Sequence, residues 1–290
     1  MGKGIALSGA RVLVTGGGNG IGRLMALGAA ERGASVVVWD RDATRAQAVR
    51  DEIRARGGSA EHAVVDVTDV EAVNAAAATT GPVDVLVNNA GVVSGKRLLE
   101  ATETEIRRTF EVNTLALYWV TRAFLPGMVA RHRGTVVTVS SAAGLVGVAQ
   151  QTDYSASKFA AFGFAESLRA ELRLDQTGVH SLVVCPYYID TGMFDGVHTK
   201  WPLLLPILHE RHVATKVLDS VEKGRALLVM PPLARTIPLL RALPVRAFDA
   251  VADLLGVNQT MAGFTGRPGD RAGDVPGRAG APAGSGAGDR

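Results

Sequence analysis

Short apolar runs rich in β-branched residues alternate with longer stretches of helical periodicity along the chain. Runs at 12–14, 35–39, 63–66, 83–87, 135–139 and 179–184 are apolar with little polar alternation, the pattern of parallel strands covered on both faces. Between them the spacing predicts helices near 20–32, 42–56, 69–79, 102–131 and 153–175, which can serve as right-handed crossovers. A helix near 213–222 then leads to a seventh strand at 226–230. The fold class expected is α/β: a doubly wound Rossmann fold with a mostly parallel six- or seven-stranded sheet and helices on both faces. No internal repeat is visible, so residues 1–262 read as one domain, with 231–262 as an apolar and basic C-terminal extension. Residues 263–290, dominated by Gly, Ala, Pro, Asp and Arg, read as a disordered tail.

Composition supports a packed domain and removes several classes of function. The 290 residues are 47% hydrophobic and 20% charged, ample for a large core and unlike a disordered or disulfide-stapled chain. Lys and Arg number 31 against 28 Asp and Glu, too even a balance for a nucleic-acid surface. The single cysteine, Cys185, cannot form an internal disulfide, and a reducing compartment is expected. His209 and His212 stand three apart without a third ligand, so no metal is expected. The strand-like run from Arg11 leaves no room for a signal peptide. Prolines at 202, 206, 231, 232, 238 and 244 break the most apolar region before it reaches spanning length. The expectation is a cytoplasmic protein that does not cross a membrane.

The first chemical signal lies directly after the first strand. Thr15-Gly-Gly-Gly-Asn-Gly-Ile-Gly22 opens an apolar helix, so Gly16, Asn19, Gly20, Ile21 and Gly22 can form a tight turn that presents free N–H groups and a helix dipole to a pyrophosphate. Asp40 ends the second strand eighteen residues past Gly22, where a carboxylate accepts from both adenosine ribose hydroxyls and repels a 2′-phosphate. NAD is therefore favoured over NADP, although the cation of Arg41 follows at once. Asp42 is better placed than Asp40 to cap the next helix. Asp66, followed by Val67, reads as a contact near the adenine.

Tyr154 and Lys158 stand four apart and so share a helix face. An ammonium beside the phenol, together with a positively charged nicotinamide, favours phenolate and makes Tyr154 a candidate base for an alcohol proton. Ser141, at the end of the fifth strand, can hydrogen-bond the same substrate oxygen. Asn113, in the helix before that strand, can hold a water linking Lys158 to solvent. Taken singly, each residue has an ordinary structural explanation; the joint spacing behind a glycine turn is what points to chemistry.

Thr15-Gly-x-x-x-Gly-x-Gly22, Asn88-Asn-Ala-Gly91, Asn113, Ser141 and Tyr154-x-x-x-Lys158 together make the chain resemble the short-chain dehydrogenase/reductase family over roughly residues 8–230. The resemblance implies that Asn88, Ala90 and Gly91 steady the fourth strand and border the adenosine ribose. It implies a catalytic tetrad of Asn113, Ser141, Tyr154 and Lys158, with Lys158 also holding the nicotinamide ribose. Pro186, Ile189 and Thr191 match the segment that touches the nicotinamide carboxamide and phosphate. Tyr187 departs from the family's glycine and should narrow the space above the nicotinamide. The string Cys185-Pro-Tyr-Tyr-Ile-Asp-Thr-Gly-Met-Phe194 resembles the retinol and 17-hydroxysteroid dehydrogenase branch, whose members use NAD(H) or NADP(H) on lipophilic alcohols.

Met193, Phe194, Trp201, Leu203, Leu204, Leu205, Ile207 and Leu208 suit an apolar lid over such a substrate or packing on a neighbouring element. Tyr187, Met193 and Phe194 join Ser141 and Tyr154 as candidate substrate contacts. Residues 225–246 carry Arg225, Arg235, Arg241 and Arg246 without an acid, which suits either peripheral membrane contact or packing on protein. The resemblance implies a homodimer or homotetramer through the helices at 102–131 and 153–175. The function expected is NAD-dependent interconversion of a lipophilic alcohol and its aldehyde or ketone. The alternatives are an NADPH-dependent carbonyl or ketoacyl reductase and a dinucleotide sensor without turnover.

Overall fold

Seven β-branched and apolar runs form the strands β1 (Arg11–Thr15), β2 (Ser35–Asp40), β3 (Ser59–Val64), β4 (Val85–Asn88), β5 (Gly134–Val139), β6 (Val179–Pro186) and β7 (Leu227–Met230). They make one parallel sheet in the order β3-β2-β1-β4-β5-β6-β7 in this computed structural model, which describes residues 4–266. The connecting helices are α1 (Gly20–Glu31), α2 (Ala43–Ala55), α3 (Val70–Thr80), α4 (Glu103–Phe110), α5 (Ala116–Ala130), α6 (Thr152–Leu174) and α7 (Glu210–Glu222). Short helices α8 (Ile237–Leu240) and α9 (Val245–Leu254) follow β7.

Each face of the sheet is buried by apolar helix positions. On one side Met25 and Leu27 of α1 and Val213, Val217 and Leu218 of α7 pack on Val12, Val14 and Val36. On the other, Val120, Phe124 and Met128 of α5 and Leu168 and Leu172 of α6 pack on Leu13, Leu86 and Val136. Burying one such side chain contributes about 1.5–3 kcal/mol, and the two-sided burial explains why the central strands show no polar alternation. The order in which the chain adds strands to the sheet reverses between β1 and β4, and this switch point opens a crevice at the carboxyl edge of the sheet.

Three elements depart from the expectation. β3 is Ser59–Val64, not 63–66, because it is the sheet edge and alternates exposed with covered positions; a continuous apolar run marks only strands buried on both faces. The helix expected over 102–131 starts with a capping box, Thr102 and Glu105, and is interrupted by a π-helical turn at Glu111–Leu115. The packed chain also continues past 262. Phe264 lies 6.3 Å from Phe194, ring centre to ring centre, and Thr265 N donates to Asp195 O at 2.8 Å. The rest of the expected tail, from 267, lies outside the described residues.

Candidate active site

The turn between β1 and α1 is shaped by close backbone approach. Gly16 has φ +60°, and a Cβ there would meet Ala90 Cα at 2.9 Å. A Cβ on Gly22 would come within 2.3 Å of Gly16 O. Asn19 caps α1, its Oδ1 accepting from Gly20 N at 2.7 Å. Asn89 laces this turn to the end of β4, its Nδ2 donating to Thr15 O at 3.0 Å and to Gly16 O at 3.1 Å. The free helix end thus faces a cleft of about 1130 Å³ lined by Gly16, Asn19, Gly20, Ile21 and Gly22. A Cβ-free turn at a helix N-terminus, set at the switch point, fits a dinucleotide pyrophosphate.

Asp40 also lines the cleft, and its carboxylate lies over the glycine turn: Oδ2 accepts from Gly18 N at 2.9 Å and Oδ1 from Asp42 N at 3.0 Å. Asp42 is the cap of α2, accepting from Arg45 N at 3.1 Å. Arg41 is exposed beside Asp40 on the cleft wall. Asp66 and Val67 line the same end. Burial alone would raise the Asp66 carboxyl, but hydrogen bonds from Thr68 and the Arg108 guanidinium bring it below its usual range. Arg108, on α4, was not expected in this wall. Its distance along the sequence concealed it.

Two residues expected in the site do not line the cleft. Asn88 is buried, and its Nδ2 donates to Thr121 Oγ1 on α5 at 3.0 Å; the cleft residues of that motif are Asn89, Ala90 and Gly91. The cause is strand alternation at the end of β4, which turns Asn88 into the interior and Asn89 toward β1. Asn113 is also buried, inside the π-helical turn. Its Oδ1 accepts from Val92 N at 2.8 Å, and its Nδ2 donates to Val92 O at 2.9 Å and Ser157 Oγ at 3.0 Å. These bonds clamp the β4 loop to α6.

Tyr154 and Lys158 project from the first turns of α6 to the cleft floor, both buried. Lys158 Nζ donates to Val139 O at 3.0 Å. Burial lowers the lysine to about 8, and burial also raises the Tyr154 phenol well above its usual value, with Ser141 acting against that rise through a hydrogen bond. The tuning expected from Lys158 is therefore outweighed here by desolvation. Ser141, just beyond β5, accepts from Ala143 N at 3.1 Å. Gly91 closes the floor: a Cβ there would meet Asn113 Oδ1 at 3.3 Å and Lys158 Nζ at 3.5 Å.

Pro186, Tyr187, Ile189 and Thr191 follow β6 along the cleft, with Ile189 bridged to Leu208. Thr191 approaches the glycine turn, 3.4 Å from a Cβ built on Gly20. Met193 and Phe194 reach Tyr154, whose ring lies 5.6 Å from that of Phe194, edge to face. Sequence reasoning missed Gln151 and Tyr188. Gln151 Nε2 donates to Tyr188 Oη at 3.1 Å, and that oxygen lies 2.8 Å from Thr260 Oγ1. Gln151 is the residue that immediately precedes α6, which sets it beside the helix's first turn and Tyr154. The far wall comes from the C-terminal extension, through Ile237, Leu240, Phe248, Val251 and Leu255.

A glycine turn and an acid at the switch point, with a buried tyrosine–lysine pair below, define a dinucleotide-dependent oxidoreductase site. The chain belongs to the short chain dehydrogenase family, which matches residues 10–201. It is 40% identical to epidermal retinol dehydrogenase 2 of Mus musculus over 268 residues, 90% of this chain and 87% of that protein. It is 36% identical to short-chain dehydrogenase/reductase 3 of Homo sapiens over 267 residues, covering 90% and 88%. Among solved structures, a Burkholderia phymatum short chain dehydrogenase/reductase in complex with NAD superposes with a TM-score of 0.75 at 26% identity, covering 82% of this chain and 95% of that one. A metagenomic short-chain oxidoreductase in complex with NADP gives a TM-score of 0.67 at 32% identity, covering 79% and 99%.

Proposed function

We propose that this protein is an NAD-dependent dehydrogenase that interconverts a lipophilic alcohol, of retinol, steroid or fatty-alcohol type, and its aldehyde or ketone. The observation that carries this reading is the position of Tyr154, buried beside Ser141 and Lys158 at the floor of a cleft whose far wall is apolar. Gly16, Asn19, Gly20, Ile21 and Gly22 would hold the pyrophosphate, Asp40 the adenosine ribose, and Ile189 and Thr191 the nicotinamide end. Bound there, the nicotinamide supplies the acceptor or donor of hydride. Ser141 Oγ and Tyr154 Oη hold the substrate oxygen. In oxidation Tyr154 takes the hydroxyl proton as hydride leaves the carbinol carbon; in reduction it returns a proton to the carbonyl oxygen. The Lys158 ammonium stabilises negative charge developing on the phenol. Met193, Phe194 and the extension exclude water from the reacting carbon.

NAD is preferred because the Asp40 carboxylate occupies the place a 2′-phosphate would need. An NADPH-dependent carbonyl reductase is the second reading, favoured by Arg41 and Arg45 on the same wall. The proposal extends to a homodimer or homotetramer through α4–α5 and α6, supported by exposed Leu115 and Tyr118, and to a cytoplasmic location. No helix among the described residues is long and apolar enough to cross a membrane.

The test is reduced-nicotinamide absorbance with NAD and, separately, NADP, against retinol, hydroxysteroids, long-chain alcohols and short polar alcohols. Turnover of the lipophilic members with NAD, lost in Tyr154→Phe, supports the proposal. Turnover confined to short polar alcohols overturns the substrate class.

A further inference from the structure

Two stretches that wall the substrate end of the cleft are apolar on their outer faces as well. In 201–208, Leu205 is buried against the cleft, whereas Leu203 is 100% exposed and Trp201, Leu204 and Ile207 are also exposed. α8 and α9 repeat the arrangement: Leu240, Phe248 and Val251 line the cleft, while Leu239, Val245 and Leu254 stand 76%, 74% and 63% exposed. Trp201 Nε1 donates to Leu254 O at 3.0 Å, which joins the two stretches. Single exposed apolar side chains are ordinary on a soluble domain, but a group of them around a pocket marks a docking surface.

The surrounding charge narrows the occupant. Residues 196–208 and 231–248 contain Lys200, Arg235, Arg241 and Arg246 and no carboxylate. Arg241 and Arg235 each lend an N–H to a backbone carbonyl, of Leu145 and Val229 respectively, yet both residues remain exposed. Of the acids on α9, Asp249 is exposed and Asp253 accepts from Asn258 Nδ2 at 3.2 Å. Arg225 leaves the basic group expected from the sequence, because it precedes β7 at the sheet edge opposite the cleft. Residues 267–290 offer Val275 as their only large apolar side chain, too little to cover the patch. A second copy of the chain seated there would close the cleft against substrate. A lipid surface would not: it covers the apolar side chains, pairs with the cations and carries greasy alcohols.

We propose that this face docks on an anionic bilayer, with Leu203, Leu204, Leu239, Val245 and Leu254 at the level of the acyl chains and Lys200 and Arg246 among the headgroups. The substrate then enters the cleft from the lipid phase. That entry route rests on the lipophilic-alcohol reading; the docking does not.

The experiment is flotation of the full chain with two vesicle types, phosphatidylcholine alone and phosphatidylcholine containing about a third phosphatidylglycerol. The wild type is expected to float with the anionic vesicles at low salt and to partition about tenfold less onto the neutral ones. The triple variant Leu203→Asp, Leu239→Asp, Leu254→Asp is expected to lose at least about tenfold of the bound fraction. Its melting temperature should stay within about 2 °C of wild type, since these side chains are exposed. Lys200→Gln with Arg246→Gln should weaken anionic binding without touching the apolar face. A wild type that stays unbound with anionic vesicles, or a triple variant that floats equally well, overturns the proposal. So does light scattering that shows a wild-type oligomer dissociated by the triple substitution, because a second copy would then own the patch. A protein that floats but fails to reduce NAD with any lipophilic alcohol leaves the docking standing and overturns the lipophilic-alcohol reading instead.

Discussion

Lys158 Nζ lies 5.7 Å from the centre of the Tyr154 ring, yet its hydrogen bond goes to the Val139 carbonyl. Its hydrogen bond is spent on that carbonyl, and burial dominates both groups: the phenol is raised and the lysine lowered to about 8. Oxidation needs the phenolate and reduction needs the phenol. The oxidation rate should climb as pH rises above neutrality, because the raised phenol is nearly all protonated there; the reduction rate should not climb. Loss of the lysine charge above about pH 8 should blunt the oxidative rise. Initial rates in both directions between pH 6 and about 10 check this, and an oxidation rate that falls from pH 6 upward would refute it.

Lys158→Met keeps the length of the side chain without its charge. It should lower kcat for oxidation by about 10²–10⁴ and steepen the remaining pH dependence, since the phenol loses its nearby cation. Steady-state kinetics on both sides of pH 8, where the wild-type lysine gains and loses its charge, alongside Tyr154→Phe, would show whether the two substitutions act through one group.

Asp40→Ala removes the carboxylate proposed to hold the ribose, which accepts from Gly18 N. The ratio of kcat/KM for NAD to that for NADP should fall by about tenfold or more, with Arg41 left to meet a phosphate. An unchanged ratio in side-by-side assays would defeat the ribose assignment.

Asn113→Ala leaves the N–H and C=O of Val92 without the amide that pairs both. Unpaired buried groups of this kind cost about 1–3 kcal/mol each. Thermal unfolding should fall by several degrees, and Asn113→Asp, which sets a buried carboxylate oxygen against Val92 O where the amide donates, should restore none of the loss. A variant as stable as wild type would argue against the clamp.

Gly22→Ala places a methyl group 2.3 Å from Gly16 O. The turn must open to admit it, and dinucleotide affinity by titration calorimetry should weaken by more than about tenfold. Gly163→Ala, at an exposed position of α6 where a Cβ meets nothing within 4 Å, controls for the generic effect of replacing a helical glycine.

What could be read from the sequence divides along a physical line. The glycine turn, the acid ending β2 and the Tyr154–Lys158 spacing depend on local geometry, a few residues of one strand or helix, and such features are written directly in the chain. The motifs that carry Asn88 and Asn113 name residues without saying which way their side chains point. Strand alternation sent Asn88 toward Thr121, and the π-helical turn carried Asn113 to Val92. Arg108 and the wall from α8 and α9 escaped notice for a different reason. Their contact with the site is made by tertiary packing, and an apolar run looks the same whether it meets a cleft, a second chain or lipid.

The wall from 231 onward lies outside the stretch 10–201 that the short chain dehydrogenase family matches, although the likeness to single relatives runs over 90% of the chain, and it meets the rest of the site through contacts such as Tyr188 with Thr260 and Trp201 with Leu254. Part of the wall at the substrate end is thus encoded in a length of chain separate from the one that carries Tyr154 and Lys158. Exchange of the C-terminal segment between relatives can change what is oxidised without disturbing how, provided the polar joints at Thr260 and Leu254 are exchanged with their partners.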